Sequence, residues 1–439
     1  MTTRPELHIN SLGGLGDGIG QLDGKPVFVE KAAAGDVLRI RLIQETREFS
    51  RGEIEEIIKA GDSRITPPCP HYASCGGCSL QHLSTSTYQA HKRKVALDAL
   101  AHAGFADTPL DIIFLPAASR RRVELKWDGK RFAYYASRTR RLVPIDSCLI
   151  LEPQLAALLA PLAKTLQQWQ HGASIKTIRL TAADSGIEMA LTTSHPHPTP
   201  LPYREREASL RAGEGQWMMA LAETLNISRL SKDGEILFER TPITMRLGNH
   251  HIPLPPDAFL QASRKGQELL VQAVLAGCAG ARSVVDLFCG IGTYSFPLSQ
   301  KALVHGAELD KTMAHNLKQQ AKKHGITSLS AEARDLFAAP LRAGELARFD
   351  AAVINPPRPG AKAQVEEIAK STLSRLVMVS CNPASFARDA KILKQVGFSL
   401  ISAQAIDQFV YSAHLELVAV FSRESRNSAE LIDRMAKHG

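Results

Sequence analysis

The sequence predicts a multidomain chain: a small N-terminal β-barrel, an α+β middle domain, and a C-terminal doubly wound α/β domain. Three observations predict it. Between residues 5 and about 60, short period-two apolar runs alternate with glycine-rich turns, the pattern of a small antiparallel barrel. A cysteine group follows, with Cys69, Cys75 and Cys78 in C-x5-C-x2-C spacing. From Pro253 onward, apolar runs alternate with amphipathic segments and end in an acid, an amide or a thiol. Open parallel sheets place their ligands at such strand ends. The expected boundaries are 1–62, 63–250 and 251–425, with 426–439 as a tail.

A chain of 439 residues has ample length for several cores. Its opening, Met1-Thr-Thr-Arg-Pro-Glu6, lacks the apolar stretch of a signal peptide, and no apolar run is long enough to cross a bilayer. A cytoplasmic protein without membrane contacts, monomeric, is expected. In a reducing compartment the seven cysteines read as metal ligands, nucleophile or packing rather than as disulfides.

Taken in order, the barrel segment holds Ser11-Leu-Gly-x-x-Gly16-x-Gly18, then Val27-Phe-Val29, then Gly35-Asp36. This pattern resembles the TRAM module, an oligonucleotide-binding-type barrel of RNA-modifying enzymes. The cysteine loop after it can fold back on one point, because Gly76 and Gly77 let the backbone turn tightly. Cys148 is the candidate fourth ligand of a tetrahedral site. Three clustered thiols plus a remote one lie closer to iron–sulfur usage, a [4Fe–4S] cluster, than to zinc, which remains the alternative.

The formal charge is +9, unevenly spread. Arg120 to Arg141 holds nine Lys/Arg against two acids, a local net of +7, interleaved with Trp127, Phe132, Tyr134 and Tyr135. Cations for phosphates and rings for base stacking suit a nucleic-acid surface. Residues 150–245 read as an α+β unit: a helix over 154–170, a hairpin over 174–194, a polar stretch over 194–202, a helix near 217–225, and two further strands.

In the third segment, Asp286-Leu-Phe288-Cys-Gly290-Ile-Gly292 ends a strand in a glycine loop. A dinucleotide fingerprint needs a third glycine. D-x-F-x-G-x-G with Glu308 at the next strand end instead suits S-adenosylmethionine, which has no pyrophosphate to cradle, and Glu308 can accept both ribose hydroxyls. Asp335 and Asn355 close the next two units. The run Arg375-Leu-Val-Met-Val-Ser-Cys381-Asn-Pro383 puts a thiol at a strand end, with proline opening a helix. Cys289, inside the cofactor loop, and Cys278, at a helix end, read as packing.

Together with Phe259-Leu-Gln261 and Asp407-Gln-Phe409…His414-Leu-Glu416, these motifs resemble the RNA uracil-5-methyltransferases, in the bacterial branch with a TRAM barrel and an iron–sulfur cluster. The resemblance spans nearly the whole chain. It implies Cys381 as nucleophile, Glu416 as general base, and Gln261, Phe288, Glu308 and Asp335 as cofactor contacts. It further implies a role for Asn355 near cofactor or target base, a cluster on Cys69, Cys75, Cys78 and Cys148, and RNA as partner, ribosomal (23S) rather than transfer RNA. This chain departs from the family at Asn355, where aspartate is usual. Two other readings stay open: amino-group methylation through Asn355-Pro-Pro, and RNA binding without turnover.

Overall fold

The computed structural model describes residues 4–169, 174–194 and 213–424. The polar stretch expected over 194–202, apart from Ser194, and the 426–439 tail lie outside the described residues.

The N-terminal strands β1 (Glu6–Leu12), β2 (Gly18–Leu22), β3 (Lys25–Val29), β4 (Val37–Glu45) and β5 (Ser50–Lys59) close into a barrel in the order β1-β2-β3-β5-β4. Its alternating inward residues, among them Leu7, Ile9, Val27, Val29, Leu38 and Ile40, form a core of their own. Closure leaves the sheet no free edge. The chain leaves it through a buried ion pair, in which Arg64 clasps Asp36 from Nη2 at 2.6 Å while Gly61 N donates to the same carboxylate at 2.9 Å.

Helix α1 (Thr85–His102), capped by Ser84, and strand β6 (Leu110–Phe114) come next. A seven-stranded sheet is then built from β7 (Arg122–Trp127), β8 (Phe132–Tyr135), β9 (Leu142–Ile145), β10 (Ile175–Ala182), β11 (Ile187–Thr193), β12 (Arg229–Lys232) and β13 (Glu235–Glu239). Helices α2 (Pro153–Gln168) and α3 (Gly213–Thr224) cover it, and their leucines meet the sheet around Leu125, Ile178 and Leu180. Strand β12 has no counterpart among the sequence expectations: its Arg229-Leu-Ser-Lys232 is too polar to stand out, yet it is buried by its partners.

A two-stranded hairpin, β14 (Thr244–Leu247) and β15 (His250–Pro253), leads to the last layer. Here α4 (Arg264–Gly277), β16 (Ser283–Leu287), α5 (Ser295–Leu298), β17 (Leu303–Glu308), α6 (Lys311–Lys323), β18 (Leu329–Ala333), α7 (Ala343–Leu346), β19 (Ala351–Ile354), α8 (Lys362–Lys370), β20 (Arg375–Ser380), α9 (Pro383–Gln395), β21 (Ser399–Asp407) and β22 (Glu416–Ser422) alternate as expected. The sheet order is β18-β17-β16-β19-β20-β22-β21-β6. The strands β18, β17, β16, β19 and β20 run parallel, and the inner ones, β16, β19 and β20, are buried on both faces, which explains their apolar runs. The edge strand differs from the 63–250 and 251–425 expectation. Parallel pairing of β6 with β21 puts residues 110–114 in the C-terminal sheet, and α1 packs on α9 in the same core. The seven-stranded sheet is therefore an insertion within the C-terminal layer.

Candidate active site

Strand β20 brings Cys381 to the sheet's carboxyl end. Leu376 to Ser380 are buried. The strand stops where Asn382 caps α9, its side chain accepting from Ala384 N at 3.1 Å, with Pro383 in the first turn. Ser380 pairs with Leu417 across the antiparallel β20–β22 ladder, so the next pair outward sets half-buried Cys381 opposite Glu416. Glu416 is 2 % exposed. Gln408 Nε2 donates to Glu416 Oε2 at 2.9 Å and to Gln261 Oε1 at 2.8 Å, joining three separated segments.

Burial pushes the Glu416 carboxyl up to about 7, opposed by the Gln408 donor. Burial also pushes the Cys381 thiol up, the Glu416 charge adds to this, and the Arg358 guanidinium opposes it. Two anions side by side in an apolar wall resist joint ionisation. Arg358 favours the negative charge on sulfur.

At the neighbouring strand ends lies a second cluster. Asp286 is fully buried, accepts from Ser295 Oγ at 2.6 Å, and is pushed up to about 7 by burial, with the Ser295 bond opposing and the Glu308 charge adding. Beyond it the backbone turns through Phe288 (φ +61°), Gly290 and Gly292, a left-handed path that costs a phenylalanine strain. Glu308 accepts from Gly290 N at 2.8 Å and Asp310 N at 3.0 Å. Asp335 accepts from Phe337 N at 2.9 Å, and the Phe288 and Phe337 rings stand 5.4 Å apart. Buried Tyr294 links the two clusters: Asn355 Nδ2 donates to its hydroxyl at 3.4 Å, and the Glu416 charge reaches its phenol.

A cavity of about 420 Å³ lies between the cysteine loop and Gln408, the donor to Glu416; neither Cys381 nor Glu416 lines it. Arg358, Gln408 and His414 form one side, and Cys69, Cys75, Cys78 and Cys148 line the other. A larger hollow, about 790 Å³, lies along α4 and β21 and contains none of these thiols. Among the described residues, no group of three or more His, Cys, Asp or Glu stands in a preformed metal-binding arrangement. The four cysteines nevertheless line one cavity. Burial first, and then the charges of Cys148, Cys75 and Cys69, push Cys78 up to about 12. Lys31, from the barrel, donates to the carbonyls of Tyr72 at 2.6 Å and of Ala73 and Cys75 at 3.1 Å, which pins the loop.

The tRNA (uracil-5-)-methyltransferase family model matches residues 229–424. An uncharacterized RNA methyltransferase of Caulobacter vibrioides is 36% identical over 428 residues, covering 95% of this chain and 100% of that protein. The 23S rRNA (uracil(1939)-C(5))-methyltransferase RlmD of Shewanella piezotolerans is 31% identical over 436 residues, 96% of each chain. The chain belongs to the RNA uracil-5-methyltransferase family. The fold agrees: the Pyrococcus abyssi tRNA (uracil-54, C5)-methyltransferase, solved with S-adenosyl-L-homocysteine, superposes with a TM-score of 0.71 over 95% of this chain and 100% of that one, at 19% identity.

The residues expected to act in catalysis and cofactor binding stand at two adjoining places. Cys381 and Glu416 meet at β20 and β22, with Gln261 tied to them. Phe288, Glu308, Asp335 and Asn355 stand at neighbouring strand ends. Cys289 and Cys278 are buried, as packing requires. The basic segment needs correction. Trp127 and Phe132 are core residues 5.2 Å apart, not stacking platforms. Arg121 is 1 % exposed and donates to Gln261 O at 2.9 Å and Gln267 Oε1 at 2.6 Å, so it holds the site together from inside. Strand alternation sends every second residue of 121–127 inward, whatever its charge. Lys130, Arg131, Arg140 and Arg141 keep exposed side chains, and Tyr135 is 44 % exposed. Sequence reasoning missed Gln408, Tyr294 and the Lys92–Asp407 pair. Only the motif around Asp407 pointed there.

Proposed function

We propose that this enzyme transfers a methyl group from S-adenosylmethionine to carbon 5 of a uridine in structured RNA, through a covalent adduct on Cys381. The juxtaposition of Cys381 with buried Glu416 carries the reading. Carbon 5 of uracil is a weak nucleophile. The Cys381 sulfur adds to carbon 6, and the displaced electron pair passes through carbon 5 to the carbon-4 oxygen as an enolate. Carbon 5 then takes the electrophilic methyl that the cofactor supplies. Glu416 removes the carbon-5 proton, the electron pair expels the sulfur, and the thiolate is regenerated. Arg358 supports the thiolate at the start. The target base must leave its stack to reach the thiol. Gln261, Phe288, Glu308 and Asp335 would hold the cofactor, with Asn355 near the cofactor or the target base.

Large-subunit (23S) ribosomal RNA is the proposed substrate, on the strength of the RlmD relative, which matches almost the full chain. Cys69, Cys75, Cys78 and Cys148 would hold a [4Fe–4S] cluster. Their shared cavity and the all-thiol donor set fit that group, which would brace the wall next to Gln408. The Asn355-Pro-Pro reading loses support, because Arg358 is no stacking ring and its charge acts on Cys381.

The test separates the two residues by what accumulates. Cys381→Ala should be inactive and form no RNA adduct. Glu416→Gln should add to the base, transfer the methyl group and stall as a labelled adduct that survives denaturing electrophoresis. Normal turnover by Glu416→Gln, or an adduct formed by Cys381→Ala, would overturn these roles.

A further inference from the structure

We propose that Gln408 is a positioning residue of this reaction, holding the Glu416 carboxylate at the carbon-5 proton and tying it to Gln261. The proposal rests on Glu416 being the base. Gln408 is 2 % exposed, and both contacts of its amide nitrogen are committed, one to each partner. Its place is fixed from two sides. Below, α4 begins at closest approach: a Cβ on Gly266 would fall 2.6 Å from Gln408 Oε1 and 3.0 Å from its Cβ, so only glycine fits. Behind, the preceding Asp407 is locked by buried Lys92, Nζ to Oδ1 at 2.9 Å, and by the Tyr88 hydroxyl. The amide therefore has one orientation open to it, and that orientation presents a donor to Glu416.

The chemistry gives this a use. A carboxylate in an apolar strand stays protonated unless a donor stabilises its charge, and a protonated Glu416 cannot accept the carbon-5 proton. Gln408 is that donor. Its Oε1 is buried without a partner among the described residues, an acceptor surface left over beside the carboxyl. The other titratable groups facing Glu416 are the Cys381 thiol from the end of β20 and the Tyr294 phenol from the loop before α5. Burial pushes both above their ordinary values, and Arg358 opposes this at Cys381.

The experiment follows decay of the methyl-labelled protein–RNA adduct in single turnover across pH, using the full-length enzyme. Decay needs ionised Glu416, so its rate rises with pH through that group's pKa. Gln408→Met removes the donor at similar size. Adduct decay should slow by about tenfold or more, and its rising limb should move to higher pH. Simple loosening would admit water and move the limb the other way, towards an ordinary carboxylate. Gly266→Ala keeps the amide but displaces it. It should reproduce both effects, and it serves as the reading if Gln408→Met does not fold. Unchanged decay in both variants, or a limb moved to lower pH, overturns the proposal. Glu416→Gln is run beside them. If it turns over, the base assignment itself fails; if it stalls while Gln408→Met decays normally, only Gln408 is at fault.

Discussion

A carboxyl group whose folded-state pKa is raised favours the fold only while protonated. Glu416, pushed up to about 7, contributes its full stability below the ordinary carboxylate pKa and loses it as pH rises through the folded value. At pH 8 the ionised group opposes folding by on the order of 3 kcal/mol. Glu416→Gln should therefore melt at a higher temperature than the parent at pH 8 and at nearly the same temperature near pH 4. Equal shifts at both pH values would mean that the carboxyl is not held in an apolar wall. In the sequence, local chemistry marks the places of Cys381 and Glu416, Asn-Pro after one and an apolar run after the other, and the resemblance to the family implies their roles. It could not reveal Lys92. That residue looks like any helix-surface lysine until Asp407, 315 residues away, is packed against it.

At the level of elements, the β7–β9 segment shows how charge density misleads. The net charge of +7 over Arg120 to Arg141 is real, but alternation from Arg121 along β7 divides it into a buried arginine that holds the site and exposed cations at the hairpin ends. Replacing Lys130, Arg131, Arg140 and Arg141 together by alanine should make the dependence of RNA affinity on salt shallower, by about one unit of slope for each phosphate no longer neutralised. An unchanged slope would place the RNA path elsewhere. Arg121→Met should behave differently, leaving the salt slope alone while destabilising the fold by about 1–3 kcal/mol, because Gln261 O and Gln267 Oε1 lose their buried donor. The barrel and the parallel strands were legible for the opposite reason: their periodicities are local and unbroken. Strand β12, held in place by its neighbours alone, was not.

Across the whole molecule, the barrel, the cysteine loop and the basic hairpin are knotted together. Lys31 caps the cysteine loop, Gly76 lies so close to the hairpin that a Cβ would stand 2.7 Å from Ser137 N and Tyr135 O, and Arg138 reaches back to Glu30 at 2.7 Å. A cluster seated in that knot would be structural to the cavity wall. Protein purified without oxygen should be brown, and Cys148→Ala should lose the colour. Colourless protein with one equivalent of zinc would overturn the cluster. The edge strand β6 bears on something else, the order in which the chain can become a protein. It emerges from the ribosome before any other strand of its sheet, yet the residue that meets Asp111 lies 293 positions later. Until then α1 and β6 have exposed apolar faces and an open edge, the condition under which nascent chains aggregate or recruit chaperones. Such a distant closure also makes for slow folding. Synthesis of the last part of the catalytic layer thus completes its first part.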